Sequence, residues 1–272
     1  MKTQKEKKVK KSKGISSGLV IAGCAVVAVL FFIYVAGNPS NFVDSNPKGH
    51  PLPGNFFGTL YKGGFIIPMV LTLLFTVITL SVERFFALNR AKGKANLTKF
   101  VENVKAKLED GDIKAAHEAC DAQKGAVANI LNAGLVRYED VEKITDKNND
   151  EKSAIIQKEI EEATALELPS MEQNLPIIAT ISTLGTLFGL LGTVLGMIRS
   201  FAALANEGAP DSLALSTGIS EALMNTAAGI ATGALAIISY NYFAAKVQNI
   251  TNAVDEIGFA IGQTYTKKHL GK

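Results

Sequence analysis

Four stretches of the chain contain no Asp, Glu, Lys or Arg, and they predict membrane-spanning helices. They cover residues 14–43, 63–82, 173–198 and 222–245, and each is at least 20 residues long. An α-helix rises 1.5 Å per residue, so about 20 apolar residues cross the roughly 30 Å hydrocarbon core of a bilayer. A soluble helix would need polar residues on its wet face. The pattern therefore predicts an all-α polytopic membrane protein with four transmembrane helices, and it excludes a purely soluble enzyme.

The composition of the whole chain hides this pattern. Of 272 residues 47% are hydrophobic, as in many globular proteins, and the net charge is only +3. A charge this small gives no reason to expect nucleic acid as a partner, because the lysines lie beside the predicted spans. The two cysteines, Cys24 and Cys120, fall in a predicted span and in a predicted cytosolic region. A disulfide framework is therefore not expected.

The basic residues indicate which side of the membrane each segment occupies. Residues 1–14 hold seven lysines, and residues 84–110 hold seven Lys and Arg residues. The stretch 205–212 between the last two spans has two acidic residues and no basic one. Basic flanks stay on the cytosolic side. The sequence thus predicts that both termini lie inside the cell.

This topology divides the chain into seven segments. We predict a basic cytosolic N-terminus (1–14), an extra transmembrane helix (15–37), an outer segment (38–62), a transmembrane helix (63–83), a cytosolic helical region (84–170), a transmembrane hairpin with its outer loop at 205–212 (171–246) and a cytosolic helical C-terminal extension (247–272).

The first span has three interpretations. It is a retained helix, a cleaved signal peptide, or a lipoprotein signal ending at the motif Ile21-Ala22-Gly23-Cys24. The retained helix is favoured because apolar sequence continues well past Cys24 and no small-x-small cleavage site precedes Asn38. All three interpretations leave the rest of the topology unchanged.

The region between the second and third spans shows helical periodicity. Apolar residues recur every three or four positions from Leu97 to Leu108, Gly111 ends that pattern, and Asp112 is placed to cap the next helix. We predict a further helix over about 124–139, an exposed loop at 146–151 and another helix from Glu151. Pro169 and Pro176 can kink the path into the third span, and the fourth span can continue past Ala245. The region is predicted to be a small helical bundle packed against these extensions. His117, Cys120 and His50 lack the spacing of a metal site.

Glycines on the last two spans predict close helix packing. In lipid the hydrophobic drive between helices is small, so small residues that allow backbones to approach supply the contact. The packing positions are Gly185, Gly189, Gly192, Gly196, Gly218, Gly229 and Gly233.

Polar residues within the same hairpin predict a track for protons. Glu221, Asn225 and Thr226 lie at i, i+4 and i+5, on one side of a helix. Counted from the outer loop at 1.5 Å per residue, Thr193 and Thr226 lie about 23 and 26 Å deep. A carboxylate in a span usually marks an ion pathway or an ion pair. The alternative is a structural or field-setting pair between Glu221 and Arg199.

Two segments of this hairpin carry a family resemblance. Gly-Leu-Leu-Gly-Thr-Val-Leu-Gly-Met-Ile (189–198) and Gly-Ile-Ser-Glu-Ala-Leu-Met-Asn-Thr-Ala-Ala-Gly-Ile (218–230) resemble the MotA/TolQ/ExbB proton channel family, and most of all its ExbB branch. The stretches 108–116 and 132–135 resemble the same family. The extra first span, Asn225 and Arg199 depart from the family's common pattern.

The resemblance implies a homopentamer in the bacterial inner (cytoplasmic) membrane, with residues 38–62 in the periplasm. An ExbD-like single-span protein would lie in its pore, and a TonB-like energy transducer would use the proton motive force for outer-membrane transport. By motif position Glu221, Thr193 and Thr226 would form the proton pathway, with protons as the coupling ion and no cofactor. Alternatives are a TolQ-like or motility-type stator subunit, or a non-conducting membrane scaffold. An enzyme is not expected, because no nucleophile–base set, phosphate loop or metal-ligand set is present.

Overall fold

The computed structural model describes residues 17–47, 49–206 and 212–269, and most of these residues are helical. The predicted N-terminal segment 1–14 and most of the predicted outer loop 205–212 lie outside the described residues. The α-helices, in chain order, are α1 (Ser17–Leu30), α2 (Phe56–Lys62), α3 (Ile66–Lys92), α4 (Leu97–Glu109), α5 (Ile113–Gln123), α6 (Gly125–Glu142), α7 (Asn149–Glu172), α8 (Leu175–Asn206) and α9 (Ser212–His269).

Four stretches among the described residues are long and apolar enough to cross a bilayer. They are Ser17–Ala36, Ile66–Glu109, Asn149–Ala202 and Leu215–His269. The prediction of an all-α protein with four membrane-spanning helices is therefore confirmed.

The contacts between residues divide the chain into two compact units. The membrane unit comprises residues 16–86 and 174–245, and the polar unit comprises 87–173 and the chain from 246 onward. Each unit has its own buried core.

In the membrane unit, the extra N-terminal helix α1 packs through only a few side chains. Ala28 is fully buried in a cluster with Leu60, Ile67 and Leu71, and the Cys24 thiol contacts the Thr79 hydroxyl of α3 at 3.6 Å. The other large apolar side chains of α1, such as Leu19, are exposed. Such a helix suits a lipid environment, where exposed apolar side chains are favourable.

The outer segment 38–62 folds back onto the end of the first helix. Asn41 is buried, and its amide donates to the carbonyls of Val35 (2.8 Å) and Ala36 (3.0 Å) in the π-helical turn Phe31–Ala36. The Asn55 amide donates in turn to Asn41 Oδ1 at 3.1 Å. These bonds satisfy carbonyls that the end of a helix leaves open. They fix the segment that leads into α2, whose last residue is Lys62.

A buried ion pair lies at the other end of α3. Arg84 is 1% exposed, and its Nε donates to Glu83 Oε2 at 2.6 Å. The Asn174 amide also donates to Glu83 Oε2, at 3.2 Å. Asn174 has a left-handed backbone (φ +68°) between α7 and α8, a conformation that Asn tolerates better than most residues. The helical path thus breaks at residues 173–174, while Pro169 lies inside α7 and Pro176 in the first turn of α8.

The polar unit is a helical bundle whose helix ends follow the sequence signals. Gly111 (φ +75°) follows the end of α4, and the Asp112 carboxylate accepts from the Ala115 N–H at 2.9 Å, which confirms the predicted cap. Asn148 and Glu151 form a capping box, so α7 begins within the predicted loop 146–151. Helix α9 runs unbroken past Ala245 to His269, as predicted. The fully buried core side chains of this unit include Val104, Leu108, Ile130, Leu131, Leu135, Tyr138, Ile156, Ile257 and Ile261.

Candidate functional site

The two glycine faces of the hairpin lie directly against each other. A Cβ added to Gly189 would lie 2.9 Å from Gly229 Cα, and one added to Gly229 would lie 2.6 Å from Gly189 Cα. Gly185 meets Gly233 and Gly196 meets Ala222 in the same antiparallel register. At the Gly185–Gly233 and Gly189–Gly229 contacts only hydrogen atoms fit between the backbones, so these glycines set the distance between α8 and α9.

The remaining predicted packing glycines face side chains. Gly192 lies against the Asn225 side chain, where an added Cβ would be 2.5 Å from Asn225 Cβ, and Gly218 lies against the Ser200 hydroxyl. Gly192 therefore makes the room that Asn225 occupies.

Two threonines form a hydroxyl pair within this contact. The Thr193 and Thr226 hydroxyls are hydrogen-bonded to each other, and both are half-buried. Each also reaches the Gly189 carbonyl, Thr193 at 3.3 Å and Thr226 at 3.2 Å, and Thr193 reaches the Ala222 carbonyl at 3.2 Å. A hydroxyl both donates and accepts, so a pair of this kind can exchange the direction of its hydrogen bond. That property is what a proton relay needs.

Asn225 joins α9 to the turn between α2 and α3. The residue is 3% exposed, and its Nδ2 donates to the Gly63 carbonyl at 3.1 Å. Its Oδ1 is buried and has no hydrogen-bond partner among the described residues.

A small cleft opens beside these groups within the membrane unit. Glu221, half-buried on α9, lines it together with Arg199 of α8. The remaining lining residues are Lys62, Gly63, Phe65, Ile66, Gly192, Leu195, Gly196 and Asn225. The cleft thus brings one carboxylate, two cationic side chains and one amide together.

Arg199 is held against an aromatic ring. Its guanidinium carbon lies 5.6 Å from the centroid of the Phe65 ring, within the range of a cation–π contact. The ion pairs within 4.0 Å among the described residues do not include Arg199 or Glu221. Arg199 and Glu221 nevertheless line the same cleft, where each contributes to the field at the other.

No pattern in the sequence marks Lys62, Gly63 or Phe65 as part of the site. Lys62 ends the outer segment, and Gly63 and Phe65 follow it, far from the hairpin in sequence; all three join the site through the folding of this part of the chain. The local signal in the sequence is the pair Gly63-Gly64 directly after Lys62, which is typical of a turn. In the structure Gly64 has a left-handed backbone (φ +71°).

The fold and this site together define a multi-pass helical membrane protein with polar groups inside a glycine-packed hairpin. The sequence pattern of the MotA/TolQ/ExbB proton channel family matches residues 122–256, a range that includes the whole of this hairpin. The Tol-Pal system protein TolQ of Haemophilus influenzae is 24% identical over 212 residues, which are 74% of this chain and 91% of that protein.

Two further relatives carry the name ExbB. The biopolymer transport protein ExbB of Aquifex aeolicus is 30% identical over 118 residues, 43% of this chain and 72% of that protein. The ExbB of Salmonella typhimurium is 27% identical over 143 residues, 52% of this chain and 59% of that protein. The chain belongs to the MotA/TolQ/ExbB proton channel family.

Proposed function

We propose that this protein is an ExbB-like subunit of a proton channel that converts the proton motive force into work at the outer membrane. Protons would pass by way of Glu221, Asn225 and the Thr193–Thr226 pair. The family membership supports proton conduction. The similarity to the biopolymer transport proteins ExbB supports the proposal that this conduction drives work at the outer membrane.

The observation that carries this proposal is the hydroxyl pair of Thr193 and Thr226 in the hairpin that also presents Glu221 to a polar cleft. An ionisable side chain in a membrane span is costly, by about 2.5–3.5 kcal/mol on translocon-based scales. Such a residue is kept where it pairs, binds or moves an ion. Glu221 has no ion pair within 4.0 Å among the described residues, which favours the last of these roles.

The proposed setting is the bacterial inner membrane, with both termini in the cytosol. The basic flanks at 1–14 and 84–110 support that orientation. The outer segment 38–62 and the cleft beside Lys62 would then face the periplasm, where protons enter. The polar unit would lie in the cytosol.

The proposed partners are further copies of this chain in a pentamer, an ExbD-like single-span protein in its pore and a TonB-like energy transducer. Both hairpin helices expose large apolar side chains that lipid or protein must cover; on α8 they include Leu187, Leu190, Val194 and Ile198, and on α9 they include Leu223, Ile230, Ile237 and Ile238. Assembly around a partner helix would cover part of this surface.

A TolQ-like role in envelope integrity is the second candidate. One observation favours it: the alignment with the Haemophilus influenzae TolQ covers 91% of that protein, and the alignment with the Salmonella ExbB covers 59%. Complementation separates the two roles. Restored receptor-dependent uptake in a strain lacking ExbB supports the ExbB-like role, and restored detergent resistance in a strain lacking TolQ supports the TolQ-like role.

Reconstitution tests proton conduction itself. The full chain, with the partner that co-purifies with it, is placed in liposomes that contain a pH-sensitive dye, and an imposed pH gradient drives uptake. We expect Glu221→Gln to abolish uptake and Glu162→Gln, an exposed carboxylate of the polar unit, to leave it unchanged. Uptake by Glu221→Gln at the rate of the unaltered protein would contradict the proposal.

A further inference from the structure

We propose that Asn225 binds a water molecule beside Glu221, and that this water carries protons between the Glu221 carboxyl group and the Thr193–Thr226 pair. The inference rests on the proposed function, because it assigns a proton carrier to the same pathway.

The orientation of the Asn225 amide follows from its contact with Gly63. Nδ2 donates to the Gly63 carbonyl at 3.1 Å. A flipped amide would place Oδ1 against that carbonyl oxygen, and two acceptors repel each other. Gly192 and Gly63 both lie against the amide group, so it has little room to rotate. Asn225 Oδ1 is therefore fixed on the side away from the Gly63 oxygen.

This fixed acceptor lacks a donor among the described residues. Oδ1 is buried, and the residue as a whole is 3% exposed. Buried carbonyl oxygens in proteins nearly always accept a hydrogen bond, either from protein or from ordered water. The orphaned Oδ1 thus points to a donor that enters the cleft.

The cleft suits water as that donor. A buried water occupies about 30 Å³ and needs two to four polar partners. The cleft offers a space of about the size of one water, and its lining includes Asn225, the Glu221 carboxylate and the cations of Lys62 and Arg199. These polar groups can hold water, whereas an apolar occupant would leave them unsatisfied.

The position of this water fits a relay. Asn225 follows Glu221 by four residues, so both lie on one face of α9, and Thr226 is its direct neighbour. A protonated Glu221 carboxyl group donates its proton to the water, which becomes hydronium while the carboxyl group becomes carboxylate. The hydronium then gives a proton to the next water or hydroxyl toward Thr193 and Thr226, and it is water again. Asn225 acts as a positioning residue in this scheme, because it holds the water and takes up no proton.

Two substitutions separate water binding from simple packing. Asn225→Leu and Asn225→Ala both lose the hydrogen bond to Gly63, but Leu fills the space and Ala leaves room for water. In the liposome assay we expect proton uptake with Leu to be about tenfold or more below uptake with Ala. If the two variants have the same thermal stability and the same proton uptake, the inference is overturned.

A second measurement on the unaltered protein does not depend on how the variants fold. In a cryo-EM map of the full chain with its co-purifying partner, we expect density for a water within about 3.2 Å of Asn225 Oδ1. A partner side chain bonded to Oδ1, or an Oδ1 turned onto another group of this chain, would overturn the inference. Glu221→Gln is the separating control: uptake that survives this change refutes the proposed function, whereas uptake lost in Glu221→Gln but equal in the two Asn225 variants refutes only the water site.

Discussion

The hydroxyls of Thr193 on α8 and Thr226 on α9 are hydrogen-bonded to each other across the hairpin, beside the glycine contact of Gly189 with Gly229. The backbones approach closely there because neither glycine carries a side chain. The pair is therefore held at a fixed depth, next to the amide of Asn225.

Removing this hydroxyl pair should slow proton transfer without unfolding the hairpin. Valine has nearly the shape of threonine, and replacing both partners of a hydrogen bond by apolar groups is often close to neutral for stability. We expect the double variant Thr193→Val/Thr226→Val to lose about 100-fold or more in proton uptake by liposomes. Thr186→Val is the matched control, since Thr186 is exposed on α8 and, among the described residues, its hydroxyl bonds to its own helix, at the Ser182 carbonyl (3.3 Å). Unchanged uptake in the double variant would exclude the pair from the pathway.

The glycine contact should tolerate no added carbon. In Gly229→Ala the new Cβ would lie 2.6 Å from the Gly185 carbonyl oxygen and from Gly189 Cα, so the helices must separate. We expect a loss of about 1–3 kcal/mol in the free energy of unfolding, measured by thermal or denaturant unfolding in detergent. Gly23→Ala on α1 is the control, because an added Cβ there meets no atom within 4 Å. If the two variants unfold alike, the proposed packing is wrong.

The buried ion pair of Glu83 and Arg84 should contribute more to the free energy of unfolding than exposed ion pairs do. Arg84→Leu leaves the Glu83 carboxylate in a largely buried position, where among the described residues the Asn174 amide still donates to it at 3.2 Å. Breaking a buried pair in this way costs about 3–5 kcal/mol. Lys158→Leu breaks the exposed pair with Glu162 and should change stability by about 1 kcal/mol or less. Equal unfolding midpoints for the two variants would contradict this ranking.

Cys120 should resist alkylation in the folded protein. Burial raises the pKa of the Cys120 thiol to about 12, and the neighbouring Asp121 carboxylate acts in the same direction. Only the thiolate reacts, so at pH 8 we expect iodoacetamide to modify Cys120 at least about 100-fold more slowly than an exposed cysteine with a pKa of about 8.5. Lys158→Cys supplies that exposed cysteine in the same chain, and peptide mass spectrometry distinguishes the two sites.

The sign of the same pKa shift sets a dependence of stability on pH. The pKa is raised in the folded protein, so the full stability is present below the ordinary pKa of 9.0, where the thiol is neutral in both states, and stability falls as the pH rises from 9 toward 12. Modification of Cys120 at the rate of the exposed cysteine at pH 8 would contradict its buried position in the polar unit.

The sequence predicted the features that depend on neighbouring residues along one helix. Gly111 and Asp112 marked a helix end and the next cap, and the depth count placed Thr193 and Thr226 nearly level, where the structure has them in contact. Their role in moving protons stays a prediction. The sequence did not reveal groups that meet through tertiary contacts. Lys62 reaches the Glu221 cleft because Asn41 and Asn55 fold the outer segment back.

The buried position of Arg84 is a second feature that the sequence did not predict. Its place after the second span made it a marker of membrane orientation, which is what flanking basic residues usually are. In the structure it is buried against Glu83, and Asn174, ninety positions further along the chain, completes the arrangement. No local pattern relates residues so far apart.

Proton uptake by liposomes that contain Glu221→Gln, compared with the unaltered chain, tests the central claim most directly. Gln keeps the size and hydrogen-bonding shape of the side chain but takes up no proton, so assembly with the co-purifying partner should persist. The account predicts that uptake falls to the level of protein-free liposomes, while Glu162→Gln keeps the rate of the unaltered chain. Uptake at the unaltered rate in Glu221→Gln, with assembly intact, would contradict the account.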